Sequence, residues 1–425
     1  MIAKKYFPLL ALFLMFSFGT FARTEFVSYD IKELAKQDKR AENKHYHALE
    51  FTQTKEGEKT IFNSTLDLTI NNLDRETFLR MEGLPTFTLF INNRAVSSGS
   101  DSKQLSEFNI TPQVTNGKNS IRIEYTPDEN IERFEAEKQN FTLKNCYVHS
   151  QPKVRIKDYK VYFTADSLSK NDAIINIEVT LSNSYNSTEA PMLGYDIYTP
   201  QGKQCYYNLR ELKINAQSED IIIFSDKIAN VQQNPWSTSS PKLYNIVLYL
   251  RKGDVISEYI NLNIGYKDFS INKDSKLVAT KYNAIKDAKT SQNELAKLKK
   301  QGINTLSVSH PQPYWFYDLC DKMGFMVIDQ ANINCEFERD NLKRGGTPSN
   351  DPKVQDLYLE RVEKLYARGK NHTCIVAFSL GGESGNGINM YKAYKLLKQL
   401  DPSRPALYPD AKGEWNSDFE FPTLK

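Results

Sequence analysis

Alternation of apolar and polar positions marks much of the first two-thirds of the chain. Ala173, Ile175, Ile177, Val179 and Leu181 interleave with Ile174, Asn176, Glu178 and Thr180. A period of two with one buried face predicts a β-strand. Phe87 to Ile91 is a short strand-like apolar run, and Ile121, Ile123 and Tyr125 alternate after Asn116-Gly117, a hairpin-type turn signal. Leu243 to Leu250, followed by Lys252-Gly253-Asp254 and another strand, predicts a second hairpin. The pattern implies two β-sandwich domains in series, over residues 23–150 and 151–268.

After about residue 269 the period changes. Ser291-Gln292-Asn293-Glu294 predicts a capping box at a helix start, with Leu295 and Leu298 at helical spacing and Gly302 to end it. Ile303 to Val308 and Gly324 to Asp329 read as strands. Asp351-Pro352 opens a helix whose stripe is Val354, Leu357, Tyr358, Val362 and Leu365, with Gly369 at its end. Ile375 to Leu380 then forms an apolar strand that stops at Gly381-Gly382-Glu383, and a helix through Tyr391, Tyr394 and Leu397 closes at Asp401-Pro402. Strands alternating with helices imply a parallel sheet. Such a sheet, closed as a barrel, presents catalytic side chains where its strands end, so Glu383 becomes the leading candidate.

Composition narrows the classes. A chain of 425 residues implies two or three domains. Its formal charge of +3 is spread along the chain without a basic block, which argues against nucleic acid. Residues 1–22 carry a secretory signal pattern: Lys4 and Lys5, an apolar run from Leu9 to Phe18, and small residues around Thr20-Phe21-Ala22. The expected location is therefore secreted or periplasmic. Cys146, Cys205, Cys320, Cys335 and Cys374 are odd in number and widely spaced, against a disulfide framework or a zinc knuckle.

Five motifs in order carry a family resemblance: Ser309-His310; Leu319-Cys320-Asp321; Val327 through Ile333; Lys370-Asn371-His372; and Ser379-Leu380-Gly381-Gly382-Glu383-Ser384-Gly385, with Asp401-Pro402-Ser403-Arg404-Pro405 after them. In this series the chain resembles glycoside hydrolase family 2, and within it the β-galactosidases. Upstream, Phe90-Ile91-Asn92-Asn93-Arg94 and Gly99-Ser100-Asp101-Ser102 look like the family's jelly-roll domain, and Asn234-Pro235-Trp236 like the end of its immunoglobulin-like domain. The resemblance implies a multidomain β plus α/β fold: a jelly-roll β-sandwich, an immunoglobulin-like β-sandwich, and an incomplete (β/α)₈ TIM barrel over 269–425. That last stretch falls short of the about 250 residues a closed barrel takes, and an open barrel would expose strand edges and an apolar interior.

The resemblance assigns Glu383 as general acid/base, and implies substrate contacts for Asp101, His310 and Asn332. It places a Mg²⁺ ion beside the acid/base, where Asn334 and Glu336 stand with Glu383 in this sequence. The sequence departs from the family here: Gly382 replaces an Asn, Asn334 a Glu and Glu336 a His. The family's nucleophile has no counterpart. Glu414, Asp418 and Glu420, the acids of the last dozen residues, lack its context. The function implied is hydrolysis of terminal β-galactosides, impaired in this chain alone. A second chain or a homo-oligomer could complete the barrel. The alternatives are a non-catalytic relative that binds carbohydrate or a partner protein, and a truncated product without a function.

Overall fold

The computed structural model describes residues 23–68, 74–99, 101–103, 105–135, 141–284, 287–336, 339–341, 343 and 346–424. The signal pattern of residues 1–22 and Ser100 lie outside them. No helix among the described residues is long and apolar enough to cross a membrane.

The first sandwich stacks two antiparallel sheets. One has the order Tyr46–Ala48, Lys144–Pro152, Arg75–Glu82, Ser106–Asn109. The other has the order Thr52–Glu56, Lys59–Leu68, Gly117–Tyr125, Phe87–Ile91, Arg94–Gly99. Phe62, Leu79, Leu89, Ile91, Ile121, Ile123 and Val148 fill the space between them. Asn116-Gly117 does not close a hairpin. Gly117 takes φ +87°, but the strand before it, Ser106–Asn109, pairs with Arg75–Glu82 in the opposite sheet. The turn therefore crosses between layers, a choice that local turn chemistry does not make.

The second sandwich has sheets Val154–Ala165, Ala173–Asn183, Ser218–Ile228 and Gln204–Glu211, Met192–Tyr198, Tyr244–Lys252, Val255–Ile264. Ala173, Ile175, Ile177, Val179 and Leu181 all point into its core. The hairpin at Lys252-Gly253-Asp254 forms, with Gly253 at φ +61°.

The third region is a five-stranded parallel sheet with helices between the strands: β1 (Ala279–Lys281), α1 (Ala288–Lys300), β2 (Thr305–Ser307), α2 (Tyr314–Met323), β3 (Met326–Gln330), α3 (Gln355–Gly369), β4 (Ile375–Ser379), α4 (Ile388–Leu400) and β5 (Ala406–Leu407). Strands neighbour in chain order, as in a barrel arc. The capping box at Ser291 is not used. α1 starts earlier, because the Asp287 side chain accepts from the Thr290 N–H at 2.9 Å and from its hydroxyl at 2.9 Å, which leaves Ser291 buried inside the first turn. Asp351 caps the segment leading to α3 through the Lys353 N–H at 3.0 Å.

The expectation of an exposed apolar interior is corrected. Every residue of β2, β3, β4 and β5 is buried. The chain's last described segment covers the arc: Phe419 and Phe421 pack on its core, and Leu424 makes a parallel bridge to Ala279 on β1. Large apolar side chains find this cover because leaving such a surface wet costs about 25 cal/mol per Å². None of the five cysteines forms a disulfide, and three of them are buried.

Candidate active site

The loops that follow β3 and β4 are pressed together at the carboxyl end of the sheet. The Gly382 N–H donates to the Ile333 carbonyl at 2.9 Å. Ser384 Oγ accepts from the Cys335 N–H at 2.9 Å. A Cβ on Gly381 would lie 2.8 Å from the Ile333 carbonyl oxygen, and one on Gly382 would lie 2.6 Å from Asn334 Oδ1. The two glycines let the loops touch, and Asn334 occupies the space that a side chain at 382 would need. Gly385, at φ +73°, then donates its N–H to buried Asp410 Oδ2 at 2.8 Å.

Glu383 is thus held on a fixed backbone at the mouth of the sheet, with its side chain 52% exposed. Its carboxylate pairs with the guanidinium of Arg339 from the loop after β3. Asp410 also faces the charge of Arg339. To protonate a glycosidic oxygen, Glu383 would have to release Arg339 first. Of the terminal acids, Asp418 is tied to Tyr394 at 2.6 Å, Lys398 at 2.9 Å and the Ala406 N–H at 2.8 Å, while Glu414 and Glu420 are exposed.

Asp101 and Asn332 are brought together, but in a closed interior. Asn332 donates to Asp101 at 2.8 Å and to Glu135 at 2.7 Å, and Arg361 pairs with Glu135 at 2.9 Å. Ser102 Oγ also donates to Glu135. Asp101, Glu135, Asn332 and Arg361 are at most 2% exposed. Burial works against the Asp101 carboxylate, but the charges of Arg361 and Lys364 and the Asn332 amide prevail and hold its pKa below the usual range. These four groups lock the sandwich loop onto the barrel. Arg361 stands four residues from both Leu357 and Leu365 on α3, so a charge on an apolar stripe was its sequence signal. Nothing in the sequence marked Glu135, Arg339 or Asp410.

His310 is nearly buried, with Nδ1 3.0 Å from the Pro311 carbonyl and 3.0 Å from Gln312 Nε2. It lines a 140 Å³ cavity with Glu82, Lys103, Gln312 and Arg368 between sandwich and barrel. A cavity of 1490 Å³ lies between the two sandwiches and includes none of these residues.

The magnesium set Asn334, Glu336 and Glu383 does not fit a bound cation as arranged. Glu383 already holds a guanidinium, Glu336 is exposed, and Asn334 turns its oxygen toward Gln330 at 3.4 Å. A hard divalent ion needs several oxygens converging on one point.

Comparison with known proteins gives a consistent result. Residues 154–267 match the model for glycosyl hydrolases family 2, and residues 283–421 the model for the TIM barrel domain of the same family. A β-galactosidase of Streptococcus thermophilus is 23% identical over 376 residues, covering 82% of this chain and 35% of that protein. One of Staphylococcus xylosus is 27% identical over 369 residues, covering 81% and 35%. The chain spans about a third of the length of these curated relatives. Among solved structures, a Bacteroides uniformis β-glucuronidase superposes with a TM-score of 0.69 at 15% identity, over 82% of this chain and 46% of that one. A putative β-galactosidase of Bacteroides fragilis gives 0.69 at 15%, over 85% and 58%. The likeness to solved structures speaks for the fold, and the two family models cover the second sandwich and the barrel arc that presents Glu383: the chain belongs to glycoside hydrolase family 2.

Proposed function

We propose that this chain carries the sugar-binding and proton-donating part of a retaining β-galactosidase-like site, with Glu383 as general acid/base, and that it is impaired when alone. The observation that supports this reading is the place of Glu383, on the first turn after β4 at the carboxyl end of the sheet. A retaining glycosidase needs a second carboxylate about 5–5.5 Å from the first, acting as nucleophile. In this reading a second polypeptide or another copy supplies it, and the chain works outside the cytoplasm after loss of residues 1–22.

The test uses an aryl β-galactoside for turnover, with and without magnesium, and calorimetry with a thiogalactoside for binding, each beside Glu383→Gln. Saturable binding is expected, with turnover at least about 10³-fold below that of a complete enzyme, the scale on which a missing catalytic group acts. Ordinary turnover by the isolated chain, or no binding at all, would refute the proposal. A second reading, a non-catalytic carbohydrate-binding relative, is favoured by the Arg339–Glu383 pair. Under it, Glu383→Gln leaves binding intact and residual turnover is nil in both proteins.

A further inference from the structure

At the opposite end of β4 lies a cluster that the glycosidase reading does not use. Asp318 and Asp321 are one helical turn apart on α2, and His372 sits in the loop entering β4. One ligand atom from each falls within 4.8 Å of the others. His372 Nδ1 is 2.9 Å from Asp321 Oδ2 and 3.9 Å from Asp318 Oδ1. The 2.9 Å separation is what two ligands about 2.1 Å from one ion would have at roughly 90°.

Two carboxylates share one imidazole. No lysine or arginine pairs with either carboxylate among the described residues, and Asp318 makes no hydrogen bond there. Two neighbouring carboxylates with only the His372 imidazole in contact with both are costly in a half-dry site. The remaining Asp321 oxygen is aimed by the Cys374 N–H at 2.6 Å, as an outer partner aims a metal ligand. The second line of evidence comes from the imidazole itself. His372 is 2% exposed, its ring is clasped by Tyr314 and Tyr317, and its Nε2 has no partner. Placing the ring proton on Nε2 frees the Nδ1 lone pair for an ion, whose bonds would replace the 2.9 Å contact of Nδ1 with Asp321. Asp318 is 40% exposed and gives an ion a way in.

We propose that Asp318, Asp321 and His372 bind one first-row divalent transition cation, a structural clamp between α2 and the loop that starts β4. An imidazole with two carboxylates suits such an ion better than magnesium or calcium, which prefer oxygen alone. The site stands apart from the sugar chemistry, since the five residues of β4 rise about 3.3 Å each between it and Glu383.

The test titrates the full chain, stripped with chelator, with Zn²⁺ by calorimetry and with Co²⁺ by visible absorption. One site per chain is expected, with a Co²⁺ band carrying a nitrogen ligand's signature and a rise of a few degrees in unfolding temperature. Asp318→Asn should weaken binding at least about tenfold. His372→Gln should abolish the band. If His372→Gln does not fold, Asp318→Asn decides, because its side chain is partly exposed and holds no hydrogen bond. No saturable binding by the unaltered chain, or binding undiminished in Asp318→Asn, would overturn the proposal and leave a plain Asp–His pair.

Discussion

Arg361→Met tests whether the buried polar lock holds the first sandwich to the barrel. Arg361 is 1% exposed and pairs with Glu135, which is fully buried, at 2.9 Å. It also donates to the Asn332 carbonyl and lies 5.5 Å over the Phe134 ring. Burial disfavours its charge, and Asp101 and Glu135 more than offset that. Breaking a buried pair by removing one partner costs about 3–5 kcal/mol, because a charge is left without compensation. Glu135 keeps donors from Ser102 and Asn332, so the lower end applies: about 3 kcal/mol, or roughly a hundredfold in the folding equilibrium. The measurement is urea unfolding of Arg361→Met, Glu135→Gln and the double variant. The double should cost less than the sum, since one change removes the charge that the other strands. The effect should also depend on pH. Asp101 is held below its unfolded pKa of about 3.9, so its contribution is present above that value and is lost as pH falls through the folded one. The gap between the original chain and Arg361→Met should therefore be largest near neutrality and shrink in acid. A cost under about 1 kcal/mol at neutral pH, or strict additivity, would refute the reasoning.

Three further outcomes are expected. Gly382→Asn puts a Cβ 2.6 Å from Asn334 Oδ1, the end of a side chain that can swing aside, so it should destabilise the chain by no more than about 1 kcal/mol, and Asn334→Ala should recover most of the loss in a thermal melt. Lys267 buries its ammonium beside the Thr373 and Ile375 carbonyls, and burial, with Arg404 nearby, pushes its pKa down to about 8. The unfolded chain then holds more protons between about pH 8 and 10.4, stability rises with pH across that window, and Lys267→Met should flatten the rise seen in melting temperature. Trp236 is fully buried and donates its indole N–H to the Asp321 carbonyl at 2.8 Å, so Trp236→Ala should cost about 3–5 kcal/mol in denaturant unfolding, with Trp236→Phe intermediate.

Much of the architecture was legible because burial imposes a period. The strand Ala173–Asn183 shows its buried face in sequence, and the helix stripe from Leu357 to Leu365 announces α3. Glu383 was legible for a similar reason: an apolar run broken by two glycines can end only where a strand stops and a tight loop begins. Local signals failed where a distant partner decided. The start of α1 went to Asp287 rather than Ser291, and the turn at Asn116-Gly117 joined strands of different sheets.

The site divides along the same line. Sequence alone determined which residue types stand at the mouth of the sheet. Only the tertiary structure decided what those residues touch. It set Arg339 against Glu383, enclosed Asp101 and Asn332 with Glu135 and Arg361, and folded Phe419 and Phe421 over an arc that the sequence left bare. The physical reason is range. Periodicity and capping act between residues a few positions apart, whereas Asp101 and Asn332 lie 231 positions apart, and their contact exists only once the chain has packed.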